Sequence, residues 1–203
     1  MREFDSIADH IWQKEPAIYK NSESFYFNET TGVALAMDAD RLVAYSIYKR
    51  LQPFGKTVLY SASTTVRPEY QSGGLRSRFL KSIIRAEQCT EDVSSIFLAV
   101  RTRNPINWHV FSRCCDPIVP NYRSSSTIDA ELIDLGVAAA KEIFPKLKLE
   151  RPTMIMRNAF DWLSYLNQPL HKDAKINEAF FRDLSATDGI FAIGRARTDL
   201  LAT

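Results

Sequence analysis

The chain is poor in the residues that mark several specialised classes of protein. Its 203 residues include only three cysteines, namely Cys89, Cys114 and Cys115, and none of them forms a C-x-x-C pair. This odd, small number argues against a disulfide scaffold and predicts buried thiols in a reduced, cytoplasmic setting. The three histidines (His10, His109 and His171) are too scattered for a recognisable metal site, so no metal is expected.

Strong charge and long hydrophobic runs are also lacking. The formal net charge is only +2, so no strong field indicates nucleic acid or an anionic membrane surface as a partner. No apolar run approaches the ~20 residues that span a bilayer. The segment from Met1 to Asp5 carries acidic residues and no continuous apolar core, unlike a secretory signal. With 45% hydrophobic and 25% charged residues, the composition is typical of a soluble globular protein.

Periodicity predicts one α/β (α+β) domain over residues 1–203, with a core at about 33–125 and a C-terminal helix and strand extension at 126–203. The expected architecture is a mixed, largely antiparallel twisted sheet of about six to seven strands, flanked by helices. The predicted strands are Gly32–Met37, Leu42–Leu51, Thr57–Val66, Ser95–Arg101, Met154–Met156 and Gly189–Ala196. The last of these either pairs within the chain or pairs across a homodimer.

Five helices are predicted, one of which follows the third strand. The other four are residues 3–14, Asn104–Arg113, Thr127–Phe144 and Ile176–Leu184, and the helix after the third strand runs from about Leu75 to Gln88. Asn104 is expected to cap its helix, with Pro105 at the first helical position. Pro117 and Pro120 are interpreted as breaks in the pattern.

The most informative segment is Val66–Arg76, which joins the third strand to a helix. A turn rich in small residues at a helix N-terminus leaves several main-chain N–H groups without intrahelical partners. With the positive end of the helix dipole behind them, those groups form a ready site for phosphate. Gly73 and Gly74 allow an anion to approach because neither has a Cβ. The sequence therefore predicts a phosphorylated ligand at this turn.

This segment resembles the acyl-CoA-binding motif of the GNAT acyltransferase superfamily. The motif is an Arg or Gln, two residues, a Gly, one residue, and a Gly or Ala, and it falls on Gln71, Gly74 and, imperfectly, Arg76. The likeness covers about Val33 to Phe111. It implies acetyl-CoA (coenzyme A) as acyl donor, and a small-molecule or peptide amine as the acceptor of an N-acetyltransferase.

The resemblance also implies which residues hold the donor. Main-chain groups near Thr64, Thr65 and Val66 would pair with the pantetheine arm, and Asn104 would contact that arm from the other side. The pyrophosphate would lie against the turn and the first helical residues, with the motif glutamine beside them: Gln71, Ser72, Gly73, Gly74, Leu75, Arg76 and Ser77. In this family the region that corresponds to residues 17–31, with Tyr19, Phe25, Tyr26 and Phe27, commonly shapes the acceptor site; the other interpretation is that these residues simply cover the core.

The chain departs from the family pattern in two places. Arg76 replaces the usual small residue; its guanidinium reaches a phosphate, points outward from the helix, or narrows the turn. The position of the usual thiolate-protonating tyrosine falls on Phe111, which has no proton to give. Tyr122 is the preferred substitute because a phenol has a suitable pKa. His109 and Cys114 are the other candidates nearby in sequence.

No general base stands out. Thr57–Val66 contains no acid, and Glu69 is interpreted as a solvated loop residue. An ordered water that relays a proton to Ser61, Ser63 or a main-chain carbonyl is then left as the base. These gaps motivate an alternative hypothesis, a catalytically reduced acyl-CoA-binding or sensor module. A third hypothesis treats a set of basic and aromatic residues as an RNA-binding patch: Arg101, Arg103, Trp108, His109 and Arg113.

Overall fold

The computed structural model describes residues 12–13, 30–90, 95–123, 129–160, 164–165, 167–197 and 199. Within these ranges the chain forms ten strands and four α-helices. The strands are β1 (Trp12–Gln13), β2 (Thr31–Asp38), β3 (Arg41–Leu51), β4 (Thr57–Val66), β5 (Ile96–Thr102), β6 (Cys115–Val119), β7 (Leu149–Glu150), β8 (Ile155–Met156), β9 (Ser164–Tyr165) and β10 (Gly189–Ala196). The helices are α1 (Leu75–Thr90), α2 (Pro105–Arg113), α3 (Ala130–Ile143) and α4 (Ala174–Phe181).

Eight of the strands form one mixed sheet, in agreement with the predicted fold class. Its order is β2-β3-β4-β5-β10-β8-β7, and β6 pairs with β10 beside this path. Only β4 and β5 pair in parallel; the other pairs in the described sheet are antiparallel. β1 and β9 form a separate antiparallel pair. β5 lies on one side of β10, and β6 and β8 lie on the other, so the closing strand pairs within the chain.

Side chains from the two faces of the sheet build two cores. On one face, Leu59 and Leu98 join a cluster with Phe79 of α1 and Trp108 of α2. On the other face, alternate residues of the same strands join a cluster with Leu132 and Leu135 of α3. Alternation along β4 and β5 therefore feeds both cores, as expected of strands that helices cover on both sides.

The structure corrects several sequence-based interpretations. Pro117 lies within β6 instead of ending the pattern, and it is tolerated because β6 pairs only with β10 among the described strands. Residues 12–13, at the end of the helix predicted for residues 3–14, form a strand; the remainder of that prediction, and Tyr19, Phe25, Tyr26 and Phe27, lie outside the described residues. Cys89 is exposed and not buried, whereas Cys114 and Cys115 are buried free thiols.

A helix that crosses a membrane must be both long and apolar. In the part of the chain that the structure describes, no helix is both long enough and apolar enough to traverse a bilayer.

Candidate functional site

The two parallel strands β4 and β5 separate at their carboxyl ends. Their pairing runs from Thr57 and Ile96 to Ser61 and Val100, whereas β4 continues to Val66. The register between β3 and β4 shifts at the same level, because Ile47 opposes Ser63 but Tyr48 opposes Ser61. The residue left over is Ala62, a β-bulge that bends β4 away from β5. A split between two neighbouring strands is the result.

Main-chain groups at the end of β4 face this split. The N–H of Arg67 donates to the carbonyl of Val43 on β3, at 2.9 Å. Because hydrogen-bonding direction alternates along a strand, the main chain of Thr65 also faces β3, and that of Thr64 and Val66 faces the opposite side. Thr64 and Val66, more than Thr65, therefore present strand-type donors and acceptors to the split. The Thr65 side chain is buried.

Next to the split lies the turn that precedes α1. Among the described residues, the main-chain N–H groups of this turn make no main-chain hydrogen bond at Ser72, Gly73, Gly74, Leu75 and Ser77. The first helical bond runs from the N–H of Arg78 to the carbonyl of Gly74, at 3.1 Å. Such unpaired donors at a helix start are what the composition of the turn predicts.

Gly74 shows why this turn requires glycine. Its φ is +73°, and a Cβ built on it would meet no atom within 4 Å. The space beside the Gly74 Cα is therefore open. Gly73 has no such constraint, since its Cβ would lie 3.4 Å from the carbonyl oxygen of Tyr70, an ordinary contact. Ser72 also has a positive φ, of 72°, and Arg76 is half-buried.

Asn104 follows β5 on the other side of the split and caps α2, as predicted. Its Oδ1 accepts from the N–H groups of Ile106 at 2.9 Å and Asn107 at 3.3 Å. Its own N–H donates to the hydroxyl of Thr102 at 3.0 Å. Because the Oδ1 of Asn104 is already used in the cap, only its Nδ2 donor is left for a ligand.

Tyr122, the preferred acid candidate, lies in an aromatic cluster. Its ring meets Trp108 edge-on with centroids 4.9 Å apart, and meets Phe180 of α4 at 5.4 Å. Burial raises the pKa of Tyr122, and the charge of Asp183 raises it further. No described contact joins Tyr122 to β4 or to the turn before α1. The packing alone accounts for the position of this ring.

The other residues considered for proton transfer, and Phe111 at the usual tyrosine position, also have structural partners. Phe111 is only 1% exposed and belongs to the core beneath α1 and α2. Burial raises the pKa of the Cys114 thiol, and the neighbouring Ser77 side chain opposes that shift. His109 contacts His171, with ring centroids 4.4 Å apart. Glu69, interpreted as a loop residue, forms an exposed ion pair with Arg41 at 2.9 Å.

Two side-chain contacts at the split were not foreseen from the sequence. The hydroxyls of Ser46 and Thr64 lie 2.9 Å apart across β3 and β4. The Nε2 of Gln71 donates to the Val66 carbonyl at 3.2 Å. The only signal for the first contact was the run of small polar residues from Ser61 to Thr65, because cross-strand partners depend on register. No sequence pattern indicated the second contact.

The residues of the RNA hypothesis do not form one surface. Trp108 is fully buried, and its indole N–H donates to the Pro120 carbonyl at 3.1 Å. The guanidinium of Arg101 lies over the rings of Phe144 and Phe160, at 4.3 and 4.9 Å from their centroids. Within the described ranges, no three metal-ligating side chains come together as a metal site would require.

Comparison with solved structures gives several distant matches among acetyltransferases. The ribosomal-protein-S18-alanine N-acetyltransferase from Escherichia coli is 12% identical, with 88% of this chain and 77% of that chain covered and a TM-score of 0.46. An aminoglycoside antibiotic 6'-N-acetyltransferase from Acinetobacter haemolyticus is 10% identical, with coverages of 63% and 88% and a TM-score of 0.44. An acetyltransferase from Bacillus subtilis in complex with CoA is 9% identical, with coverages of 95% and 93% and a TM-score of 0.44.

Comparison by sequence gives no match. No family model matches the chain, and no curated protein matches it. With identities of 9–12% and TM-scores below 0.5, the solved structures do not define a substrate or a reaction for this chain. Each of the three solved structures is an acetyltransferase.

Proposed function

We propose that this protein is an N-acetyltransferase that takes acetyl-CoA as donor and a small-molecule or peptide amine as acceptor. The observation that carries the proposal is the split between β4 and β5, which opens beside a helix start rich in unpaired N–H groups. An extended chain of amides fits the unpaired strand edge, and a pyrophosphate fits the helix start. Acetyl-CoA joins those two chemistries in one molecule.

The residues present fit such a donor. Ser72, Gly73, Gly74, Leu75 and Ser77 would hold the pyrophosphate through main-chain N–H groups, and the open side of Gly74 leaves room for it. The main chains of Thr64 and Val66 would hold the pantetheine arm. Asn104 would add its Nδ2 donor from the β5 side. When bound, acetyl-CoA supplies an acyl group activated as a thioester.

The main contribution of the chain itself is to position the two reactants. Transfer requires a neutral amine, a polarised carbonyl and a proton for the leaving thiolate. Thr64 and Val66 offer main-chain N–H donors at the split. However, β4 has no carboxylate that could act as a base, and Phe111 has no acidic proton to donate to the thiolate. Holding two reactants in register is by itself a large contribution to rate. We therefore expect slow turnover, and best turnover for amines that arrive deprotonated at high pH.

The alternative, a catalytically reduced acyl-CoA sensor, is favoured by Phe111 and by the packing of Tyr122. Calorimetric titration with acetyl-CoA and a thiol-release assay over a panel of amines separate the two functions. Binding together with release above background supports the enzyme, and binding without release supports the sensor. Absence of binding contradicts both.

A charged variant tests the turn directly. Gly73→Asp places a carboxylate among the unpaired N–H groups, where it stabilises the helix start but repels a phosphate. We expect acetyl-CoA affinity to fall at least tenfold while the protein stays folded. Gly73→Ala is the matched control: its Cβ makes only an ordinary contact with the protein, so a further loss of affinity in Gly73→Asp is due to the carboxylate. Equal affinities for the two variants would contradict a phosphate site here.

A further inference from the structure

The side chain of Gln71 lies at a main-chain acceptor that the proposed ligand would need. Its Nε2 donates to the Val66 carbonyl at 3.2 Å, and the side chain is exposed. The direction of that carbonyl is fixed by its own peptide unit. The N–H of Arg67 belongs to the same unit and donates to Val43 on β3, so the Val66 oxygen points away from β3 and toward the split.

The two partners of this hydrogen bond differ in mobility. The end of β4 is held to β3 twice, through the N–H of Arg67 to Val43 and through its Nε to the carbonyl of Leu42 at 2.8 Å. The Gln71 main chain is held as well, because its N–H donates to the Pro68 carbonyl at 3.2 Å. Only the Gln71 carboxamide can rotate away at little cost. The Val66 carbonyl remains in place for another donor.

We propose that Gln71 is a specificity-determining residue whose carboxamide occupies the acceptor required by an amide N–H of the pantetheine arm. This inference rests on the proposed function. A ligand that carries the arm must displace the carboxamide, whereas a ligand that has only the adenosine phosphates need not. Gln71 therefore lowers the affinity for coenzyme A selectively and leaves the affinity for adenosine 3',5'-bisphosphate unchanged.

The test compares both ligands by calorimetric titration with wild type and Gln71→Met. Methionine keeps the length of the side chain but cannot donate a hydrogen bond. We expect the affinity for coenzyme A to rise about two- to tenfold, the range set by loss of one competing hydrogen bond, and the affinity for the bisphosphate to stay the same. The control is Gln52→Met, since the Gln52 Nε2 donates to the Thr57 hydroxyl at 3.3 Å at the far end of β4. That variant should bind both ligands as wild type does.

Each other outcome overturns the inference in a distinguishable way. If wild type does not bind coenzyme A, the proposed function fails and this inference fails with it. If wild type binds coenzyme A but Gln71→Met does not bind it more tightly, only the inference is wrong. An equal change for both ligands would place Gln71 at the phosphate end, and it would also overturn the proposal.

Discussion

Gly74 and Gly73 are neighbours, but only Gly74 has a backbone conformation that favours glycine. Gly74 has a φ of +73°, which L-residues adopt at a cost of about 1–2 kcal/mol, and Gly73 does not have a positive φ. We predict that Gly74→Ala lowers the free energy of unfolding by about 1–2 kcal/mol, and that Gly73→Ala changes it by about 0.5 kcal/mol or less. Urea denaturation of the two variants checks this. Equal losses would show that the turn does not have this backbone conformation.

Removing only the hydroxyl group of Tyr122 distinguishes a packing role of this residue from a catalytic role. Because its ring packs on Trp108 and Phe180, we predict that Tyr122→Phe keeps wild-type stability and any thiol release within about twofold. Tyr122→Ala should cost about 3–5 kcal/mol through loss of the ring. Thermal denaturation and the thiol-release assay measure the two effects. If Tyr122→Phe abolished release without a change in stability, the phenol would be the missing acid after all.

Residues of the site could be predicted from the sequence where their roles depend only on neighbouring residues. The helix start after Gly74 and the cap at Asn104 follow from neighbouring residues, so the sequence alone was sufficient for them. The role of Tyr122 depends on Phe180, which is far along the chain, and proximity in sequence to α2 was misleading. The Gln71 contact depends on the direction of one carbonyl, which no pattern of residue types reveals.

Among the elements, the segment between β9 and α4 contacts α2 and the residues just before it. The Nε2 of Gln168 donates to the Arg103 carbonyl at 3.0 Å, beside Asn104. Farther along, His171 contacts His109 of α2, and the Nδ1 of His171 accepts from the N–H of Asp173 at 3.0 Å. The Nδ1 of His109 is buried and has no hydrogen-bond partner among the described residues. This docking therefore suits a neutral His109 imidazole.

Acid should weaken this docking. Burial lowers the pKa of His109 below its usual 6.5, and the neighbouring charges of His171, Arg123, Arg113 and Lys172 lower it further. The unfolded chain then binds a proton at a higher pH than the folded chain does, so stability falls as the pH drops through 6.5 toward the lower folded pKa. His109→Phe keeps a ring but cannot titrate. We predict that its unfolding free energy falls less than that of wild type between about pH 7.5 and 5.5.

Urea denaturation at the two pH values makes the comparison. Hydrogen exchange of residues 168–173, corrected for the intrinsic effect of pH, should show the same difference between wild type and variant. If both proteins lost the same stability over this pH interval, the contact between His109 and His171 would have no part in the titration.

The elements themselves were predicted unevenly for a physical reason. The strands β2, β3, β4 and β10 and the helices carry a clear period in the sequence, and their bounds were close to those observed. Three of the four two-residue strands, β1, β7 and β9, exist only through pairing with other segments, so no strand period indicates them. β6 was hidden by Pro117, which only an edge position tolerates.

At the scale of the whole molecule, the site is a consequence of topology. β4 and β5 pair in parallel through the connection made by α1, and the bulge at Ala62 ends their pairing before β4 ends. The same connection brings the N-terminus of α1 to the carboxyl end of β4. A strand edge and a helix start thus meet because of chain order, not because of any single side chain. Integrity of the sheet is therefore a condition for the site.

The sheet depends on how closely α3 lies against β10, the strand that joins β5 to β6 and β8. A Cβ on Gly136 of α3 would lie 2.8 Å from the Cγ2 of Ile193 and 2.7 Å from the Cε of Met154. The methionine end can move, but the β-branched isoleucine is fixed at χ1. We predict that Gly136→Ala lowers the free energy of unfolding by about 1–3 kcal/mol, although alanine is the better helix former.

A double-mutant cycle with Ile193→Ala identifies the cause of that loss. Removing the isoleucine methyl groups makes room for the new Cβ, so the double variant should be more stable than the sum of the two single losses by at least about 0.5 kcal/mol. If Gly136→Ala were instead stabilising by about 1 kcal/mol, helix propensity would dominate and α3 would not lie this close to β10. Additive losses would place the strain elsewhere than at Ile193, since only a shared contact couples the two positions.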